Sequence, residues 1–195
     1  MILLLAIISG WLLGLAFSRL KNRKYQLPEL SAVWIVLAAV FPQLLIFHIP
    51  ATAVWFSDFS AKIVLVISQG LLLYFVWINR KQAGFPILGI GLALNLLVIA
   101  LNRGLMPLAP ETAQVLFPET TLESWVLGSR PGRSKNIILL PNATRLPWLS
   151  DSILLPSIFP IRRALSPGDI LISLGIIWFL INGNQKVMRS SNISN

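Results

Sequence analysis

The chain has 195 residues, a formal net charge of +9 and no cysteine. Hydrophobic residues make up 55% of it and charged residues only 12%, whereas soluble domains carry about 25% charged residues. This composition leaves too little polar surface to cover a soluble core, and the lack of cysteine and the single histidine, His48, exclude a disulfide framework and a multi-histidine metal site.

Four apolar runs in the first half of the chain have the length of membrane-crossing helices, for which about 17–25 residues are needed. Three of them carry no charged residue, and the third carries only Lys62 near its start. The first run lacks the basic start of a signal peptide, so we predict a retained anchor. The predicted spans are residues 1–17, 31–47, 60–78 and 85–101.

A fifth, shorter apolar stretch begins after a clear helix-start signal. Ser166 suits the N-cap, Pro167 the first helical position, and Asp169 the positive end of the helix dipole. A helix over residues 167–184 would be roughly 27 Å long, enough for a thinned bilayer. The open alternative is an interfacial or half-spanning helix, and residues 185–195 form a tail.

Lysine and arginine in the short loops predict the orientation. Five spans place three basic segments on one side, whereas the loop over residues 48–59 has no lysine or arginine. We therefore predict a cytoplasmic C-terminus and an outer N-terminus in a cell inner membrane. We interpret these basic clusters as contacts with the lipid bilayer and not with nucleic acid. Their residues are Arg19, Lys21, Arg23, Lys24, Arg80, Lys81, Lys186 and Arg189.

The long segment over residues 102–166 is predicted to fold on the outer surface. Helix starts are expected at Pro110 and at Pro118, the second continuing to Leu127 as a short amphipathic helix. Residues 136–140 and 144–149 are expected to form a hairpin or to cross the mouth of the bundle. Its basic residues favour binding of an anion, a lipid head group or an acidic partner, or simply a solvated face.

The predicted fold class is an all-α integral membrane protein. It is a bundle of about five transmembrane helices with a long proline-rich outer segment that contains short interfacial helices. No acidic residue lies inside any of the predicted spans, which weighs against a proton- or sodium-coupled transporter.

Several polar or small residues in or beside the spans are candidates for packing or ligand binding. Gly10 and Gly14 form a GxxxG pair that lets helices approach closely, within the chain or with a partner. Asn95 and Asn102 are seven residues apart on one helix face, and either bind a ligand or make interhelical hydrogen bonds. His48 is either a ligand residue or an interfacial side chain.

The outer segment holds the remaining candidates. Asp151 could pair with Arg145, and Asp169 could pair with Arg162 or Arg163. Acid–base catalysis by either aspartate would require burial and proximity, and capping alone accounts for Asp169. We therefore assign no catalytic residue, no metal ligand and no cofactor.

Two short motifs carry a resemblance to a known family. They are the run from Asn102 to Pro107, Asn-Arg-Gly-Leu-Met-Pro, and the run from Ser166 to Asp169, Ser-Pro-Gly-Asp. The chain resembles the bacterial family of small multi-pass membrane proteins called domain of unknown function 5317. The resemblance implies a bacterial inner-membrane location and no particular activity.

Three functions stay open at this point. The first is a non-catalytic accessory, assembly or stabilising subunit of a bacterial membrane complex, with other membrane subunits as partners. The second is a transporter or channel component for a small or lipidic solute, using Asn95 and Asn102. The third is a membrane enzyme acting on lipid or cell-wall substrates through the outer segment.

Overall fold

The computed structural model describes residues 2–22, 24–155 and 162–191. Arg23 and residues 192–195, which belong to the predicted basic loop and tail, lie outside the described residues. The fold is mostly helical, as predicted. The α-helices are α1 (Ile2–Leu20), α2 (Trp34–Phe47), α3 (Pro50–Ala53), α4 (Asp58–Ile78), α5 (Phe85–Leu101), α6 (Pro110–Leu116) and α7 (Pro167–Ser191).

Among the described residues, α1 and α4 are long and apolar enough to cross a membrane, judged by length and composition alone. Three further apolar helices are shorter: α2, α5 and the part of α7 over Pro167–Asn182. Helix α5 begins and ends at the predicted residues, 85 and 101. Helix α2 begins three residues later than predicted, because Ala32 adopts a left-handed conformation (φ 55°) that interrupts the helix.

Helix α7 begins at Pro167, the predicted first residue, and is held there by a reciprocal cap. The Asp169 amide donates to the Ser166 hydroxyl oxygen (3.0 Å), and the Ser166 amide donates to Asp169 Oδ2 (3.3 Å). This is the capping-box arrangement with aspartate as the acid. The helix continues to Ser191, seven residues beyond the predicted end of the span at residue 184.

The long helices pack side by side, and α7 lies between α1 and α5. Helix α1 packs on α7, α7 on α5, α5 on α4, and α4 on α2. Glycines allow α5 and α7 to approach closely: a Cβ at Gly91 would lie 2.6 Å from the Gly168 carbonyl oxygen, and one at Gly175 would lie 2.7 Å from the Leu88 amide nitrogen. Only small residues permit such backbone proximity.

The core of the bundle has two parts. At one end, Phe85 packs between Phe75 and Phe179, with ring centroids 5.8 Å and 5.2 Å apart. At the other end, side chains of α4 and α5 such as Leu65 and Val98 pack against the segment that follows α5. The second cluster therefore joins the helices to residues 102–166, which we call the cap.

The cap contains short strands as well as turns. Strand β1 (Met106–Leu108) pairs in parallel with β2 (Asn136–Ile138), and β3 (Ile153–Leu154) pairs antiparallel with β4 (Ala164–Leu165). These pairings were not predicted. Of the two alternatives expected for residues 136–140 and 144–149, the hairpin is wrong, because β2 pairs with β1 and Pro147–Leu149 forms a 3₁₀ turn. Between them lie α6, which begins at Pro110 as predicted, and single 3₁₀ turns at Leu122–Ser124, Pro131–Arg133, Pro141–Ala143 and Pro147–Leu149.

The amphipathic helix predicted from Pro118 to Leu127 was also wrong. Only the 3₁₀ turn Leu122–Ser124 forms there, because the following backbone bonds to β2. The Gly128 amide donates to the Ile138 carbonyl (2.8 Å), and the Ile138 amide donates to Ser129 (3.0 Å). Trp125 turns inward against Phe117 and the core of the cap.

Large apolar side chains cover much of the outer surface of the long helices. Trp34, Leu37, Phe41 and Trp77 are each more than three-fifths exposed, and Trp178 is more than half exposed. Soluble monomers do not carry continuous exposed apolar patches of this kind without a partner or a lipid environment to cover them.

Candidate functional site

Asn102 joins the end of α5 to the cap. Its side-chain amide donates to the carbonyls of Val98 and Arg145 (both 2.8 Å) and accepts a bond from the Arg145 amide (2.9 Å). Asn102 is buried. The bonds to Arg145 involve its backbone, and the residue itself is exposed. Both ends of the Asn102 amide are therefore used in holding the cap.

Asn95 joins α5 to the start of α7. Its Nδ2 donates to Asp169 Oδ1 (2.9 Å), and its Oδ1 accepts from the Ser166 hydroxyl (2.8 Å). Asn95 is 4% exposed and Ser166 is fully buried. Although Asn95 and Asn102 share a helix face, the structure places them in two separate networks and not in one open polar patch.

A third asparagine, Asn79, makes the equivalent connection at the opposite end of the bundle. Its side chain accepts from the Ser31 amide (2.9 Å) and donates to the carbonyls of Ser31 and Phe75 (both 3.0 Å). Sequence reasoning missed this residue. Its position directly after a long apolar run could have identified it, since Asn102 occupies the same position after α5.

The other candidates in the bundle lie apart from these networks. Gly10 and Gly14 lie against α7, where added Cβ atoms would meet Ile177 and the Leu180 carbonyl at 3.0 Å and 2.7 Å. The GxxxG face is thus occupied within the chain. His48 is an exposed residue at the end of α2, and the described residues contain no group of three or more potential metal ligands.

Arg130 anchors the cap to the start of α4 and the end of α2. Its guanidinium donates to Asp58 Oδ1 at the start of α4 (2.7 Å) and lies 5.4 Å above the Phe47 ring at the end of α2. It also donates to the carbonyls of Arg133 and Ser134. The Arg130 side chain is nearly buried, so this ion pair fixes the position of the basic turn around Gly132.

The cap contains a cavity of about 270 Å³ that is lined by both apolar and charged side chains. The lining includes three cationic side chains and one carboxylate. The apolar lining residues are Leu108, Leu116, Phe117 and Ala164; the polar ones are Ser134, Lys135, Asn136, Asp151, Arg162 and Arg163.

Asp151 and Lys135 form the charged centre of this cavity. The Lys135 ammonium lies 3.3 Å from Asp151 Oδ2, which also accepts a bond from Asn136 Nδ2 (2.8 Å). The Asp151 side chain is 3% exposed and that of Lys135 is 37% exposed. The second carboxylate oxygen, Oδ1, is buried and accepts no hydrogen bond from the described residues.

Burial raises the pKa of the Asp151 carboxyl, because the opposing Lys135 ammonium does not fully compensate for the loss of water. A buried carboxyl with one unsatisfied oxygen, beside a cavity, fits either acid–base work or the neighbourhood of a bound anion. Burial, an unpaired carboxylate oxygen and a position beside the cavity, together with the raised pKa, distinguish Asp151 from the other candidates.

The pairs predicted for the two aspartates were not those observed. Asp151 pairs with Lys135 and not with Arg145, because both Lys135 and Asn136 stand at the start of β2, next to Asp151, whose amide bonds to β1. Asp169 bonds to Asn95 and to the start of its own helix. Lys135 was expected only as one of the basic residues of the segment, and its pairing with Asp151 was missed, since the parallel pairing that brings β2 to Asp151 has no local signal.

A family model for DUF5317, a family of unknown function, matches residues 28–181 of the chain. The matched range includes α2 to α5, the whole cap and the apolar part of α7. No curated protein matches the chain, and no solved structure matches it.

Proposed function

The chain belongs to DUF5317, a family of unknown function, and from that membership and the structure we propose a membrane-embedded accessory role. The protein is an integral membrane protein with about five transmembrane helices: the long helices α1 and α4, and the shorter apolar helices α2, α5 and α7. It serves as a non-catalytic accessory, assembly or stabilising subunit of a bacterial membrane complex. The cap is its working surface.

The exposed apolar side chains support the membrane placement. Lipid is the occupant that their chemistry fits, since every long helix presents them outward and tryptophans such as Trp34 and Trp77 stand near one end. At that same end, Asn79 bonds to Ser31 and the Tyr25 hydroxyl bonds to the Leu180 carbonyl. The described basic residues at the C-terminal ends of α1 and α4 therefore lie at one end of the bundle, which supports a cytoplasmic location for them.

One observation carries the accessory role: the buried asparagines of the bundle are all engaged in holding the structure together. Asn79, Asn95 and Asn102 each use both ends of their amide on neighbouring backbone or side-chain atoms. A solute pathway needs polar groups that face a passage, whereas these three asparagines are engaged in hydrogen bonds between parts of the described bundle. The charged cavity lies in the cap.

Affinity purification in mild detergent, followed by native mass spectrometry, tests this role. We expect the protein to leave the membrane with a second protein at fixed stoichiometry, which an unrelated multi-pass protein with the same tag does not retain. A photo-reactive residue at Trp148, exposed on the cap, should cross-link to that protein, whereas one at the equally exposed Trp34 should not. Recovery of the protein alone refutes the accessory role.

A second candidate function, a membrane enzyme acting on lipid or cell-wall substrates, is favoured by one observation. Asp151 is a buried carboxyl with a raised pKa on the wall of a cavity, as a general acid requires. Incubation of the purified protein with labelled envelope lipids would reveal turnover. Loss of that turnover in an Asp151→Asn variant with unchanged thermal stability would support this candidate over the first.

A transporter or channel component remains the less supported alternative. It relied on a polar patch at Asn95 and Asn102, and these side chains lie in separate networks. Solute flux that disappears in a folded Asn95→Leu variant would restore it.

A further inference from the structure

We propose that the cavity in the cap is a binding site for a phosphate group attached to a small, partly apolar moiety, with Arg162, Arg163 and Lys135 as the groups that bind the phosphate. The inference rests on the proposed function, because it names the class of ligand that the cap takes at the membrane surface. Nothing in the bundle takes part in it.

The charges around the cavity are unbalanced. Lys135, Arg162 and Arg163 supply three positive charges, and Asp151 supplies one negative charge. Asp169, which is not part of the lining, is also near enough to act on Lys135 and Asp151, so these five groups still sum to one positive charge. Like charges gathered at one site repel, and an anion bound between them would relieve that repulsion.

The two arginines are available to a ligand. Among the described residues, Arg162 donates only a long bond of 3.4 Å to the Val115 carbonyl, and neither arginine has an acid within ion-pair distance. Both residues are exposed at the cavity rim. A guanidinium offers a planar set of donors that matches two oxygens of a phosphate, which a single lysine does not.

The apolar lining residues define the rest of the ligand. Phe117, Leu116 and Leu108 contribute to the lining, and the cavity of about 270 Å³ is slightly smaller than the usual range for small-molecule sites, about 300–1,000 Å³. A free inorganic ion would leave these apolar side chains uncovered. A phosphate ester with a short carbon skeleton would contact both the cations and the apolar side chains.

Binding to the purified full chain in an uncharged detergent tests the proposal. The probes are inorganic phosphate, short-chain phosphatidylglycerol and, as the zwitterionic control, short-chain phosphatidylcholine, each followed by calorimetry. We expect phosphatidylglycerol to bind and phosphatidylcholine not to bind. Added binding of inorganic phosphate identifies soluble phosphates as a source, whereas binding of the lipid alone identifies the head group; absence of both overturns the proposal.

Matched variants separate a site from general attraction to a basic surface. The double variant Arg162→Gln/Arg163→Gln should lower affinity at least about tenfold, because it removes two charge-assisted contacts. Arg145→Gln removes the same type of charge from the cap outside the cavity and should change affinity less than about twofold. Equal losses in the two variants overturn the proposal.

An Asp151→Asn variant provides the second measurement. It keeps the shape of the side chain and removes the one negative charge from the cavity wall, so the anion should bind several-fold more tightly. Weaker or unchanged binding counts against the site. These measurements use the isolated protein, so a failure here leaves co-purification of a partner unaffected, and the absence of a partner leaves the binding result standing.

Discussion

Replacing Asn95 by leucine removes both hydrogen bonds that join the middle of α5 to the start of α7. Asp169 Oδ1 loses the donor at 2.9 Å, and the Ser166 hydroxyl loses its acceptor at 2.8 Å. Ser166 is fully buried, so no water replaces the lost acceptor. Asp169 keeps its bond to the Ser166 amide, so the N-terminal capping box of α7 remains.

The size of the effect follows from the two contacts. A neutral hydrogen bond contributes about 1 kcal/mol and a bond to a charged group about 1.5–3 kcal/mol, while hydrogen bonds between membrane helices average nearer 0.6 kcal/mol. We therefore expect Asn95→Leu to lower the free energy of unfolding by about 2–4 kcal/mol. For a chain of this length that corresponds to a fall in Tm of about 5–15 °C.

Thermal unfolding in detergent, followed by the fluorescence of the chain's seven tryptophans, measures this change. Asn182→Leu is the matched control, because among the described residues the Asn182 side chain donates only to the Trp178 carbonyl of its own helix, and its replacement should cost less than about 0.5 kcal/mol. If both variants unfold at the same temperature, the link between α5 and α7 does not stabilise the bundle as inferred.

Three further outcomes are expected. Gly91→Ala should destabilise the protein by about 1–3 kcal/mol in the same assay, because the added Cβ would meet backbone atoms of α7 at 2.6–2.8 Å. Gly70→Ala is the control: a Cβ there has nothing within 4 Å, so the change should be neutral or stabilising. Similar Tm values for the two variants would contradict the close contact between α5 and α7. Because burial raises the pKa of Asp151 above its ordinary 3.8, the stability it contributes is complete below that value and is lost as pH rises through the raised pKa. The Tm of the wild type should therefore fall relative to that of Asp151→Asn as pH increases from about 4, and a constant difference would refute it. Since the chain has no cysteine, single cysteines at Lys81 and Arg145 can be labelled in intact cells, and we expect an impermeant reagent to reach only position 145; labelling of both would contradict the proposed orientation.

Sequence patterns predicted the parts of the fold that depend on local chemistry. The uncharged run from Phe85 to Leu101 forms a helix of that length, and the Ser-Pro-Gly-Asp motif starts α7, since caps and apolar runs act within a few residues. The fold class was predicted only in its mostly helical character. The strands of the cap escaped prediction because β1 and β2 have three residues each and pair across a long separation in sequence.

The sequence offered single candidate residues for the site and not their arrangement. Asp151 and Lys135 both stood out by their charge, but their pairing was not predicted, because the pair forms only after β2 settles beside β1. The helix expected over residues 118–127 failed for the same reason: hydrogen bonds to β2 outweigh a weak local preference. Non-local pairing thus accounts for most of the differences.

The position of α7 between α1 and α5 has a consequence for biogenesis. Helix α1 leaves the ribosome well before α7, yet the glycine face of α1 and the Tyr25 hydroxyl that follows it have their contacts on α7. At 5–20 residues per second, on the order of ten seconds separate the two helices during translation. In the proposed membrane placement, α1 therefore enters the bilayer without its neighbour, exposed to insertion chaperones and quality-control proteases, and its packing is completed only after α7 has been synthesised.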